Sequence, residues 1–378
     1  MQVSQLTLTN LDKLAGELDH LRAMAPNLLL VFSGIELLKG VAAPLASVFP
    51  SAIRMGCSTA GEISSAGVSD GTCVVTAVRF DKSSLVKSST QLLGMNDSQA
   101  AGKRLAEQLP QAGLRAVLVL GQGVAINGSA LIDGMTGVLG KDIPITGGLA
   151  GDAGAFKETW VMDNSGVHND RLVCVGFYGS SLSFSHGSFG GWTAFGPARK
   201  VTRCDHNVLY ELDGEPALAV YKRYLGEHAK DLPASGLLFP FSMLGTDHNK
   251  VGLIRTILAV DEAAGSLTLA GDIESGGSLE LMHASTDALV EGAQAAAHAA
   301  QDMLNGPGEG LALLISCVGR KLVMGGRVDE EIEAVGDVFG QGARLAGFYS
   351  YGEISPFTAN AECKLHNQTM TITHIAEL

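Results

Sequence analysis

Two carboxylates hold the same place in a repeated motif. Glu62 follows Gly61 in Gly56-Cys57-Ser58-Thr59-Ala60-Gly61-Glu62-Ile63-Ser64, and Glu353 follows Gly352 in Gly347-Phe348-Tyr349-Ser350-Tyr351-Gly352-Glu353-Ile354-Ser355. A carboxylate set between a glycine and an apolar residue can accept hydrogen bonds from backbone or ligand, or act as a base. Repetition favours the plainer role, a carboxylate satisfying turn amides in each copy. As a ligand site, Gly61 and Glu62 with Tyr351, Gly352 and Glu353 would suit a small zwitterion, whose two ends match amides and carboxylates. Cys57 lies in the first turn as a possible nucleophile, but the spacing offers no activating histidine, and the matched copy carries Phe348 instead.

A second candidate is Ser185-His186-Gly187-Ser188-Phe189-Gly190-Gly191-Trp192-Thr193-Ala194-Phe195-Gly196-Pro197. One histidine and three aromatics among glycines can build an apolar pocket with a polar handle. His283, in Leu281-Met282-His283, competes with His186 as a buried ligand. His366 and His374 fall eight apart on what reads as one strand, too distant to chelate together. No HExxH, CxxC or CxxCH occurs, so a zinc site and covalent haem are disfavoured, and b-type haem stays open. Gly147-Gly148-Leu149-Ala150-Gly151-Asp152 resembles half of a phosphate loop but lacks the lysine that follows in one.

The surroundings narrow the classes. The chain has 378 residues, with 26 Lys and Arg against 39 Asp and Glu, hence a net charge of −13. That acidity disfavours nucleic acid and anionic membrane as partners. No apolar run approaches the ~20 residues of a membrane helix, and no basic, apolar export leader is visible at the start. The expected compartment is the cytoplasm. Forty-eight glycines, against an ordinary share of roughly 7%, predict many tight turns and close backbone approaches.

The elements that must position these residues recur. Leu28–Phe32, a helix ending near Phe49, the Gly56–Glu62 turn and a closing strand Cys73–Phe80 match in order Leu311–Ile315, a helix Asp329–Phe339 stopped by Gly340, the Gly347–Glu353 turn and a closing strand Lys364–Thr373. A looser copy runs through Ala116–Leu120, Ala130–Leu139, Gly151-Asp152 and Leu172–Phe177. Leu269-Ala270-Gly271-Asp272 repeats the last letters once more within a hairpin begun by Thr256–Val260. Helices are predicted over Ala217–Leu225, stopped by Gly226, and over Ser285–Leu304, with Asn305-Gly306-Pro307-Gly308 as its stop. The fold class is α/β, with mixed, partly antiparallel sheets covered by helices, in two pseudo-repeated lobes. The expected division is an N-terminal segment 1–24, a first lobe 25–215 and a second 216–378.

The motifs Gly56–Glu62, Gly147–Asp152, Gly190-Gly191-Trp192, Leu212-Asp213-Gly214-Glu215-Pro216-Ala217, Tyr349–Glu353 and His366-Asn367-Gln368-Thr369 together resemble the FIST family of prokaryotic sensory proteins, over nearly the whole chain. The resemblance implies a small-ligand sensor for signal transduction rather than an enzyme. One subgroup, the nitric-oxide-sensing haem proteins, implies b-type haem and regulation of a partner histidine kinase or a cyclic-di-GMP pathway. On that reading His186 is the first choice of iron ligand and His283 the second, with Trp192 and Phe195 as pocket walls. The alternative is a sensor of amino acids or other small metabolites without haem.

Overall fold

A computed structural model describes residues 1–12, 14–244, 250–304, 310–356 and 362–378. The predicted turn at 305–308 lies outside the described residues. The fold is mixed α/β, with partly antiparallel sheets covered by helices.

One order of elements runs three times. The first unit has an edge strand Gln2–Leu8, helix Leu14–Ala23, strand Leu28–Ser33, helix Ile35–Val48, strand Ile53–Ser58, a hairpin Glu62–Ser64 and Gly67–Ser69, and a closing strand Cys73–Arg79. The second has Ser84–Gln91, Ser98–Ala106, Leu114–Gly121, Gly128–Leu139, Ile145–Leu149, the hairpin Val161–Asp163 and Gly166–His168, and Arg171–Tyr178. The third has Leu182–Phe189, Thr286–Asp302, Gly310–Cys317, Asp329–Phe339, Ala343–Ser350, the hairpin Gly352–Pro356 and Cys363–His366, and Met370–Glu377. In every unit the two central strands pair in parallel across their helix, and the closing strand runs antiparallel beside them.

Each hairpin leaves its own sheet. The first unit's hairpin pairs with Ala343–Ser350 of the third, the third's with Ile145–Leu149 of the second, and the second's with Ile53–Ser58 of the first. The exchange is cyclic, so three six-stranded sheets interlock. Their inner faces share one core, where Phe32 stacks on Phe348 with ring centroids 4.7 Å apart. Their outer faces are covered by helices. Burial on both faces explains why the central strands read as unbroken apolar runs.

Gly56, Gly147 and Gly347 occupy equivalent positions on the second central strand of each unit. A Cβ at any of them would collide with a neighbouring carbonyl, that of Val31, Val119 or Leu314 respectively. The glycine at the head of each repeat is therefore required by the close approach of two parallel strands.

Between Leu182–Phe189 and Thr286–Asp302 the third unit carries an inserted nine-stranded sheet, Thr193–His283, with helix Ala217–Leu225 and its own core. This sheet runs across residues 215 and 216, because Val208–Leu212 pairs with both Glu215–Pro216 and Ser266–Leu269. Within the two-lobe arrangement the βαβ repeat is thus threefold. Leu269-Ala270-Gly271-Asp272 belongs to the insert, where Ile257–Asp261 and Ser266–Leu269 form an antiparallel pair with no helix between them. The expected strand Lys364–Thr373 is two strands, Cys363–His366 and Met370–Glu377, lying in different sheets. Gln368 turns the chain between them with a φ of 62°, so His366 and His374 do not share a strand.

Candidate functional site

The three glycine-acid turns meet at the centre of the interlocked sheets. The amide of Ala60 donates to Tyr349 O at 2.9 Å, that of Tyr351 to Leu149 O at 3.0 Å, and that of Gly151 to Ser58 O at 2.9 Å. These bonds link first unit to third, third to second, and second to first. Glu62 accepts from the Thr59 hydroxyl, and its other oxygen accepts from Thr72 N and Oγ1, both at 2.8 Å. Glu353 repeats the set: Ser350 Oγ at 2.8 Å on one oxygen, Thr369 N at 3.2 Å and Oγ1 at 3.0 Å on the other. Asp152 accepts from the amides of Phe156, Lys157 and Glu158 at 2.8, 2.7 and 3.0 Å and from the Tyr351 hydroxyl.

Glu62 and Glu353 are fully buried. Burial raises the Glu62 carboxyl and pushes Glu353 up to about 8, against the opposing pull of their hydrogen bonds. Burial would also raise Asp152, but the Tyr351 hydroxyl and three amides outweigh it and hold that carboxyl low. Both oxygens of each glutamate are engaged by donors of their own unit, so Gly61-Glu62 and Gly352-Glu353 act as turn anchors. Tyr351 stacks on Phe156 with centroids 4.2 Å apart. Cys57 is fully buried, and burial followed by the nearby Glu62 pushes its thiol well above the ordinary value. It has neither the access nor the thiolate that a nucleophile needs.

A cavity of ≈ 410 Å³ opens instead where the insert meets the repeat body. The body contributes Ser188, Phe189, Gly190, Gly191, His366 and Thr369; the insert and its approach contribute Trp192, Ala194, Ser242, Gly252, Ile254, Glu280 and Met282. Glycine builds the first wall. Gly191 has φ 76°, and a Cβ there would collide with Ala288 O of helix Thr286–Asp302, while Gly187 lies equally close to Ala296 O. The segment therefore lies flat on the alanine-rich helix and turns Trp192 outward. The indole Nε1 donates to Gln368 O at 2.7 Å.

The His366–Thr369 turn forms the opposite wall. His366 Nε2 lies 3.0 Å from Ser355 O, and Gln368 Nε2 donates to Leu237 O of the insert at 2.9 Å. Burial holds His366 near pKa 4, so its imidazole is neutral. In the same turn Asn367 Oδ1 and Gln368 Oε1 are buried acceptors with no donor among the described residues. Arg255, also buried, crosses the junction to Leu365 O at 3.2 Å.

The sequence-predicted residues fall in three places. Trp192 lines the cavity. His186 is buried on strand Leu182–Phe189 and pushed down to about 4 by burial, but it is not on the cavity wall. His283 is exposed, and its ring packs against Phe195 at 5.4 Å within the insert. The histidine on the cavity wall is His366, brought in by a strand break that periodicity does not show. Sequence reasoning also missed the buried Arg320–Glu331 pair, 2.7 Å apart, which ties Ser316 and Tyr349 to helix Asp329–Phe339.

Fold and cavity define a class: a repeat-built α/β protein with a cavity between its repeat body and an inserted sheet. The chain belongs to the FIST family, matching the FIST N domain over residues 27–215 and the FIST C domain over 217–356. FIST domains are small-ligand sensors of signalling proteins. The chain is 36% identical over 95 residues to "Uncharacterized protein MJ1623" of Methanocaldococcus jannaschii, covering 25% of this chain and 18% of that one. It is 30% identical over 164 residues to "Uncharacterized protein MT0656" of Mycobacterium tuberculosis, covering 41% and 42%. The chain thus spans less than half the length of these curated relatives. Among solved structures, a cyanuric acid hydrolase from A. caulinodans aligns over 99% of both chains at 9% identity and a TM-score of 0.36, too low for an argument about fold or activity. Among the described residues no helix is long and apolar enough to cross a membrane, and no group of three His, Cys, Asp or Glu could hold a metal ion.

Proposed function

We propose that the protein senses a small metabolite in the cavity between body and insert and passes its state to a signalling partner, such as a histidine kinase or a cyclic-di-GMP enzyme. The observation that carries this reading is the shared wall: Trp192, Ser242, Ile254 and Glu280 face His366 and Thr369 across one space. A ligand there touches both bodies, so it can favour one arrangement of insert and body over another.

The test is a ligand screen by intrinsic fluorescence. Trp160 and Trp192 are the two tryptophans, so the Trp160→Phe variant reports the cavity alone. Saturable quenching by an amino acid or related metabolite, lost when Ile254→Phe is added to that variant, supports the site. Ligands that bind equally well when the cavity is filled would refute it.

Haem b with nitric oxide as the sensed gas is the second reading, and His366 is what favours it. His186 and His283 do not fit as the ligand, since one is off the cavity and the other exposed. His366 lies on the wall as a neutral imidazole whose Nε2 is held by a main-chain carbonyl, and it is the histidine nearest to such a group. The group would supply an iron that binds the gas, while Trp192 and Met282 would pack against its apolar face. A Soret band on adding haemin, lost in His366→Ala and kept in His186→Ala, supports this reading. A colourless protein refutes it.

A further inference from the structure

We propose that the seam between the first and second sheets is a separate binding site for a phosphate monoester, the organic part of a small metabolite carrying it. A second cavity of ≈ 410 Å³ lies there, at the opposite edge of the second sheet from the strand that carries His366. Arg54 lines it from strand Ile53–Ser58, Lys87 from Ser84–Gln91 and Arg171 from Arg171–Tyr178. In a chain of net charge −13, three cations facing one space against the single carboxylate of Asp163 make a local exception.

The charges are poorly compensated. Arg54 is only 6% exposed, yet its guanidinium donates to carbonyls alone, Phe49 O at 2.7 Å and Asn164 O at 3.2 Å. Among the described residues neither Arg54 nor Lys87 has a carboxylate within ion-pair distance, and Arg171 reaches Asp163 only at 3.5 Å. Burial lowers the Arg54 pKa, and the charge of Asp163 raises it only in part. Asp163 is already held by Ser165, whose amide and hydroxyl approach it at 2.6 and 2.5 Å. Two positive charges therefore remain for a dianion, and Arg–phosphate contacts are among the stronger charge-assisted hydrogen bonds. The cavity exceeds what a bare phosphate fills, which leaves room for the organic part of an ester.

The site also spans an exchanged element. Asp163, Asn164 and Ser165 form the turn of the second unit's hairpin, which pairs with the first sheet. A ligand bridging Arg54 to Lys87 and Arg171 would pin that hairpin and stabilise the folded state by linkage.

The experiment is titration calorimetry and thermal melting of the full chain at low salt, with phenyl phosphate as probe and benzyl alcohol and benzoate as controls. One-to-one binding of phenyl phosphate that raises the melting temperature is expected, with benzoate weaker and benzyl alcohol inactive. Lys87→Gln, at an exposed position, should weaken binding roughly ten-fold, and Lys87→Gln with Arg171→Gln further. Absence of saturable binding, or equal binding by both variants, would overturn the proposal. In the Trp160→Phe variant, Trp192 fluorescence should not respond to the probe; a response would move its binding to the other cavity and equally overturn the assignment.

Discussion

The Ala60 amide donates to the Tyr349 carbonyl at 2.9 Å, joining the first unit to the third at the point where each chain leaves its own sheet. Two equivalent bonds, Tyr351 to Leu149 and Gly151 to Ser58, complete the ring. Each turn is thus held by another unit; Glu62 and Glu353 are satisfied within their own units, whereas Asp152 also accepts from Tyr351 of the third unit. The repeated Gly-Glu motif is explained by this assembly: it redirects the chain so that its hairpin can extend a neighbour's sheet.

Closely approaching strands make the head glycines intolerant of a side chain. Gly56→Ala and Gly347→Ala should each cost about 3 kcal/mol or more, because the new methyl meets a backbone carbonyl that cannot rotate away. Gly137→Ala, in helix Gly128–Leu139 with nothing near its Cβ, should instead stabilise by ~0.5–1 kcal/mol. Urea denaturation of the three variants checks both signs.

Glu353 makes stability fall toward alkaline pH. Its folded pKa of about 8 lies above the ordinary 4.5, so the native state holds a proton that the unfolded chain has released. The stabilisation is complete below 4.5 and lost as pH rises through 8. Glu353→Gln keeps the shape and can bond Ser350 and Thr369, since the serine hydroxyl can rotate to accept. The variant should show a flatter melting temperature between pH 6.5 and 8 than the wild type. An unchanged slope would count against the raised pKa.

Histidine burial acts in the other direction at lower pH. His186 and His366 fall to about 4 from the ordinary 6.5, chiefly through burial. Their neutral forms are favoured in the fold, so stability is present above 6.5 and lost as pH drops toward 4. His186→Gln should reduce the loss between pH 6.5 and 4.5, measured by thermal melts against the wild type.

The Arg320–Glu331 pair, with both side chains fully buried, should be expensive to break. Glu331→Ala leaves a buried guanidinium and should cost ~3–5 kcal/mol. The double variant Arg320→Met with Glu331→Leu should recover only part of that loss, because Ser316, Tyr349 and the carbonyls of Gly190 and Leu289 lose their partners. A double-mutant cycle in urea gives the coupling.

Much of the local structure was legible in the chain. Unbroken apolar runs marked strands buried on both faces, Gly226 and Gly340 marked the ends of their helices, and Ser285 was found where an N-cap belongs, accepting from Ala288 N at 3.2 Å. The Gly-x4-Gly-Glu spacing identified equivalent turns because the same close strand approach and carboxylate anchor recur. The third copy was harder to read, since Asp152 reaches turn amides with a shorter side chain and one residue fewer after its glycine.

Tertiary structure alone decided the rest. No periodicity distinguishes a hairpin that pairs at home from one that pairs with a neighbour, because the strand pattern is identical and only the inter-strand partners differ. The break at Gln368 was hidden for a related reason: a positive φ in a non-glycine residue leaves little trace in composition. That break sends His366 to the cavity and His374 to another sheet. The sequence by itself determined which segments fold as strands, helices and turns; the exchange of hairpins, and with it the meeting of Trp192 and His366, depended on contacts between residues far apart in the chain.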